Sequence, residues 1–262
     1  MIPALARMSG ADRPLPPEPT APRVARGNFD LFLLMGQSNM AGRACVEAGD
    51  RLPQPRVVVL GADGQWISRG EPVHFDKPRT VGLGPALSFG KTVAAADSGK
   101  TIGLIPCAVG NTPLERWEKG GDLYDAAIRR WRAASSSGIL RAILWHQGES
   151  DSNGEQEAKS YGKRLARMVT DLRVDLQSGD VPFLAGQLGD FLIPRSDGEF
   201  PHAEIVNEGI RRLPEYVPQA FAVPAANLGH RGDTVHFDGP AVRELGHRYA
   251  EAYLALVRGH SR

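Results

Sequence analysis

Three residues could carry nucleophilic chemistry in this chain of 262 residues. Ser38 lies in Gly36-Gln37-Ser38-Asn39-Met40, directly after an apolar run. Asp233 and His236 stand three apart in "GDTVHFDG", close to the C-terminus. A serine hydroxyl is a weak nucleophile until a base removes its proton, and histidine is the usual base near neutral pH. A carboxylate beside the imidazole selects its tautomer and stabilises the cation that forms. Ester hydrolysis also needs donors aimed at the developing oxyanion, each worth about 3 kcal/mol. The backbone N–H groups of Ser38 and Gly110 and the side-chain amide of Gln147 are of the right type. Each residue also has a plainer use. Ser38 can cap a helix beginning at Asn39, Gly110 can serve backbone conformation, and Gln147 can satisfy a buried strand end.

These residues need a scaffold that brings distant segments together. Apolar runs at 30–36, 56–60, 101–107, 140–146, 181–187 and 220–225 are mostly apolar throughout, which predicts strands covered on both faces. Between them lie segments of helical period: "GPALSFGKTVAAAD", "GDLYDAAIRRWRAA", "EQEAKSYGKRLARMVTDLRVDL", "AEIVNEGIRRL" and "GPAVRELGHRYAEAYLALV". In the third, Tyr161, Leu165, Met168 and Leu172 form one apolar stripe. Strand alternating with helix implies an α/β fold with a mostly parallel sheet between helical layers. Three strands end in polar clusters: Gln37-Ser38-Asn39, Gly110-Asn111-Thr112 and Gln147-Gly148-Glu149-Ser150-Asp151. In a parallel sheet these ends share one rim, where open α/β sheets bind ligands.

Composition narrows the partners. Charged residues are 23% of the chain and the formal net charge is +1, with no basic stripe, so no nucleic acid partner is expected. Apolar runs are strand-sized, so no membrane span is expected. Residues 1–27 are rich in proline and polar residues, lack the continuous apolar core of a clear signal peptide, and read as an extended tail. The two cysteines, Cys45 and Cys107, read as free thiols. The chain has neither H-E-x-x-H nor paired C-x-x-C, so no metal site is expected.

The blocks "GQSNMAGR", "IPCAVGNTPLERW", "LWHQGESD" and "DTVHFDG" resemble those of the SGNH-hydrolase superfamily, in the branch of carbohydrate esterase family 6 and sialate O-acetylesterase-like domains. The resemblance implies a three-layer α/β/α sandwich of flavodoxin-like type over residues 28–262. It implies serine esterase chemistry, without a cofactor, on O-acetyl groups of a small carbohydrate or polysaccharide such as acetylxylan. It assigns Ser38 as nucleophile, His236 as base, Asp233 as acid, and Ser38, Gly110 and Gln147 as the oxyanion hole.

The branch often has Gly-Gly-Thr where this chain has Gly110-Asn111-Thr112, so Asn111 stands as an alternative N–H donor. Glu149 stands as an alternative acid to Asp233, because some relatives use the corresponding glutamate. Arg43, Glu115, Arg116 and Trp117 lie near the blocks as candidate walls of a sugar site, while Asp151 reads as a surface carboxylate. The rival readings are a lipase or thioesterase using the same triad on longer acyl chains, and a carbohydrate-binding relative that has lost catalysis. The intact Ser38, Asp233 and His236 argue against the second.

Overall fold

The computed structural model describes residues 19–193 and 198–259. Seven strands form one sheet: β1 (Phe29–Gly36), β2 (Val57–Leu60), β3 (Trp66–Ile67), β4 (Thr101–Pro106), β5 (Ile139–His146), β6 (Phe183–Gly186) and β7 (Ala220–Val223). Their spatial order is β3-β2-β4-β1-β5-β6-β7. Every pairing is parallel except that of β2 with β3. The six apolar runs correspond to β1, β2, β4, β5, β6 and β7. The two-residue β3 has no apolar run of its own and was not predicted.

Among the described residues seven α-helices flank the sheet: α1 (Ser38–Ala41), α2 (Ala86–Ala96), α3 (Asp122–Ala134), α4 (Glu155–Asp175), α5 (Ala203–Arg211), α6 (Leu213–Tyr216) and α7 (Gly239–Gly259). Buried residues of α2 and α7 pack on one face of the sheet with Phe32 and Leu34. Those of α3, α4 and α5 pack on the other with Leu31, Leu33 and Met35. Strand β1 is therefore buried on both sides, as its unbroken apolar run requires. The α4 stripe of Tyr161, Leu165, Met168 and Leu172 is wholly buried. The result is a three-layer α/β/α sandwich, the architecture expected from the sequence.

The predicted tail lies mostly outside the described residues. Within them, Thr20 bridges antiparallel to Ile67, and Ala21 donates its N–H to the Trp66 carbonyl at 2.9 Å. Cys45 and Cys107 are both free thiols.

The topology places the polar clusters. The chain leaves β1 for β2 on one side, returns to β4 beside β1, then crosses to β5 on the other side. The carboxyl ends of β4, β1 and β5 are thus neighbours. Gly36 closes the gap between two of them, with φ +126°; a Cβ there would lie 2.1 Å from the His146 carbonyl oxygen. Only glycine allows that approach.

Candidate active site

Strand β1 turns directly into α1, whose first residue is Ser38. The first N–H groups of a helix have no intrahelical partner. That of Ser38 also has no other partner among the described residues. Four residues after it, Gly42 leaves the helix at φ +97°, pressed against the backbone of Gly82 and Gly84.

His236 reaches this turn from the loop before α7. Its Nε2 lies 3.0 Å from Ser38 Oγ, and its Nδ1 lies 2.8 Å from Asp233 Oδ2. The other oxygen, Asp233 Oδ1, accepts the backbone N–H groups of Val235 at 3.0 Å and His236 at 2.8 Å. Partial burial works against the charge on Asp233, but these two N–H donors and the imidazole outweigh it and hold the carboxyl below its ordinary value. Arg231 lies 3.4 Å from the same carboxylate and donates to the Arg43 carbonyl.

Asn39 joins the three segments, a role that residue-by-residue reading missed. Its Nδ2 donates to Glu149 Oε1 at 2.6 Å and to the Val235 carbonyl at 3.1 Å, while its Oδ1 accepts the Phe237 N–H at 3.2 Å. One amide thus ties the Ser38 turn to the end of β5 and to the histidine loop. Its adjacency to Ser38 was the only sequence signal.

Glu149 is 1% exposed. Burial pushes its carboxyl above its ordinary value despite the Asn39 bond. It makes no hydrogen bond to His236, and its Oε2 has no hydrogen-bond partner among the described residues. As placed, the carboxylate that meets the imidazole is Asp233.

Two of the expected oxyanion donors are engaged elsewhere. Gln147 is 0% exposed and its amide points into the protein. Nε2 donates to Asp151 Oδ2 at 2.6 Å and to the Thr112 carbonyl at 2.9 Å, and Oε1 lies 3.0 Å from Tyr161 Oη. Gln147 is a structural link between strand ends and does not line the cleft. The Gly110 N–H donates to Asp76 Oδ2 at 2.8 Å. The next residue, Asn111, has φ +61°, and its N–H has no partner among the described residues.

Asp151 is not a surface carboxylate. It is 1% exposed and accepts the Leu114 N–H as well as the Gln147 amide. Trp117 is fully buried in the core, and Arg116 pairs with Asp122 on the surface. Of the residues considered as sugar-site walls, only Arg43 reaches the cleft.

Ser38, Asp233 and His236 open onto a cleft of about 670 Å³, also lined by Lys77, Arg79 and Asn111. This volume suits a sugar-sized ligand. By residue type its lining is mostly polar or charged, with Arg43, Lys77, Arg79 and Arg231 beside the carboxylates Glu149 and Asp233, and with Val235 and Phe200 the apolar exceptions.

Comparison with known proteins places this arrangement in context. The family model described as carbohydrate esterase, sialic acid-specific acetylesterase, matches residues 28–255. A probable carbohydrate esterase of Arabidopsis thaliana is 30% identical over 266 residues, covering 94% of this chain and 96% of the relative. A solved Arabidopsis thaliana structure superposes with a TM-score of 0.78 at 30% identity, over 87% of this chain and 98% of that one. A carbohydrate acetylesterase from Xanthomonas citri shares the fold at 19% identity and a TM-score of 0.65, over 85% of this chain and 55% of that one.

Proposed function

The chain belongs to the sialic acid-specific acetylesterase family of carbohydrate esterases, and from that premise we propose that it releases acetate from O-acetylated sugars with Ser38 as nucleophile, His236 as general base and Asp233 as the orienting acid. The chain is a carboxylic ester hydrolase; the residues that perform the hydrolysis are the proposal. The observation that carries it is the continuous hydrogen-bonded chain from Ser38 Oγ through both ring nitrogens of His236 to Asp233.

The steps follow from that chain. Nδ1–H donates to Asp233, which leaves the Nε2 lone pair facing Ser38. Nε2 takes the hydroxyl proton as Oγ attacks the acetyl carbonyl carbon. The oxyanion that forms is met by the Ser38 N–H. Protonated His236 then gives its proton to the departing sugar oxygen, leaving acetyl-Ser38 and a free sugar hydroxyl. Water, deprotonated by His236, attacks the acetyl group; acetate leaves and Ser38 regains its proton. No metal or cofactor is required by these steps.

The test is hydrolysis of p-nitrophenyl acetate by the wild type and Ser38→Ala. A fall of roughly 10³-fold or more is expected for a triad serine. Equal rates would remove Ser38 from the reaction.

The cleft favours a short acyl group, because it offers little continuous apolar wall for a long one. Rates should therefore drop from acetate to octanoate esters. The cleft also favours an acidic sugar. Lys77 and Arg79 are exposed on one wall, and neither has a carboxylate partner among the described residues. Such cations attract a sugar carboxylate such as that of sialic acid. Lys77→Ala with Arg79→Ala should raise KM for O-acetylated sialic acid and leave acetylated xylan unaffected. An equal change on both would count against the acidic sugar.

A further inference from the structure

The loop after β4 carries two backbone N–H groups at the edge of the cleft, and they have different fates. That of Gly110 is bound by Asp76; that of Asn111 has no partner among the described residues. The Asp76 carboxylate is built in. Its side chain is 1% exposed and pairs with Arg43 Nη2 at 2.7 Å, and the Arg43 side chain is itself 7% exposed. Arg43 Nη1 donates to the Gly42 carbonyl at 2.7 Å, at the end of the helical turn that starts with Ser38. A Cβ at Gly110 would lie 2.2 Å from Arg43 Nη2, so the guanidinium packs on the open face of that glycine. Arg43 and Asp76 thus bridge the nucleophile turn and the β4 loop.

We propose that Asp76 and Arg43 are positioning residues: by holding the Gly110 N–H they set the loop so that the Asn111 N–H joins the Ser38 N–H in facing the developing oxyanion. The inference rests on the Ser-His-Asp reading above. The left-handed backbone at Asn111 fits the role, because successive N–H groups around such a residue make an anion-binding concavity. Asparagine is among the few non-glycine residues that adopt it readily. Arg43 also balances the Asp76 charge, which would otherwise oppose an anion forming near the same loop.

The test compares Asp76→Asn, Arg43→Lys and Arg43→Met with the wild type, using p-nitrophenyl acetate and stoichiometric labelling of Ser38 by a serine-reactive phosphonate. An oxyanion donor acts in the transition state, so its displacement lowers kcat rather than raising KM. Asp76→Asn should lose about 10- to 100-fold in kcat, somewhat less than outright removal of a donor. KM should stay within about twofold, the acid limb of the pH profile should be unmoved, and labelling should reach one phosphonate per chain. Arg43→Lys, which keeps the counter-charge, should retain more kcat than Arg43→Met. These two variants carry the test if Asp76→Asn does not fold.

Wild-type kcat in Asp76→Asn, or in both Arg43 variants, overturns the inference. So does a change confined to KM, which would make Arg43 a substrate contact. Ser38→Ala separates the two levels. If it is inactive while Asp76→Asn is unimpaired, only this inference falls; if it is fully active, the Ser-His-Asp reading falls with it.

Discussion

At Asp233 one carboxylate uses its two oxygens for two tasks. Oδ1 is held by backbone N–H groups of its own loop, and Oδ2 is left to meet the imidazole. In the proposed mechanism the loop thus positions the acid, and the acid positions the base. An amide at 233 would keep the size but not the two-sided acceptor, and the imidazole would be offered the wrong tautomer. Asp233→Asn should lower kcat on p-nitrophenyl acetate by roughly 10³- to 10⁴-fold. Glu149→Gln should lower it by about 10-fold or less, because its Asn39 contact is preserved in kind and its carboxylate does not bond His236. The reverse order of these two losses would transfer the acid role to Glu149.

At the scale of elements, the site depends on how closely three strand ends approach. Gly36 brings the end of β1 against His146 of β5, where the Gln37 N–H bonds the His146 carbonyl at 2.8 Å. A methyl group at 36 meets backbone rather than a flexible side chain, in a conformation that L residues rarely adopt. Gly36→Ala should cost about 2–5 kcal/mol of stability, from strain and overpacking together, and should lower activity because the Ser38 turn must shift. Urea unfolding with parallel kinetics measures both. By contrast, Leu172→Ala on the α4 stripe lies in the core, away from the cleft. It should cost about 2–5 kcal/mol and leave kcat of the folded protein unchanged.

At the scale of the whole molecule, buried titratable groups set a pH range for stability. Burial pushes His74 and His146 down to about 4. As pH falls below the ordinary histidine value, the unfolded chain takes up protons that the folded chain refuses, so stability is lost between about pH 6.5 and 4. Burial pushes Glu71 up to about 8, against the pull of backbone N–H donors such as that of Val73. Here the folded chain keeps a proton that the unfolded chain releases, so stability is lost as pH rises from about 4.5 to 8. Glu71→Gln removes that ionisation. The Tm of Glu71→Gln relative to the wild type should therefore rise steadily from pH 5 to pH 8. A difference independent of pH would mean that Glu71 is already ionised in the folded protein.

The sequence by itself determined the layered architecture and the class of chemistry. A strand buried on both faces must be apolar throughout, and a helix facing a core must repeat its apolar residues every three or four positions, so β1 and α4 announce themselves locally. The types and order of Ser38, Asp233 and His236 likewise pointed to ester hydrolysis. What only the tertiary structure decided was the partner of each polar group. Asp151 is polar and borders a loop, yet burial and distant donors claim it. The Gln147 amide and the Gly110 N–H are donors of the right kind, but Thr112, Asp151 and Asp76 occupy them. Asp76 and Arg43 lie 33 residues apart, and nothing in either neighbourhood signals their pairing. A hydrogen bond between remote residues exists only once the sheet has set the distance between their loops, so residue type can nominate a donor while the folded geometry determines whether it is free.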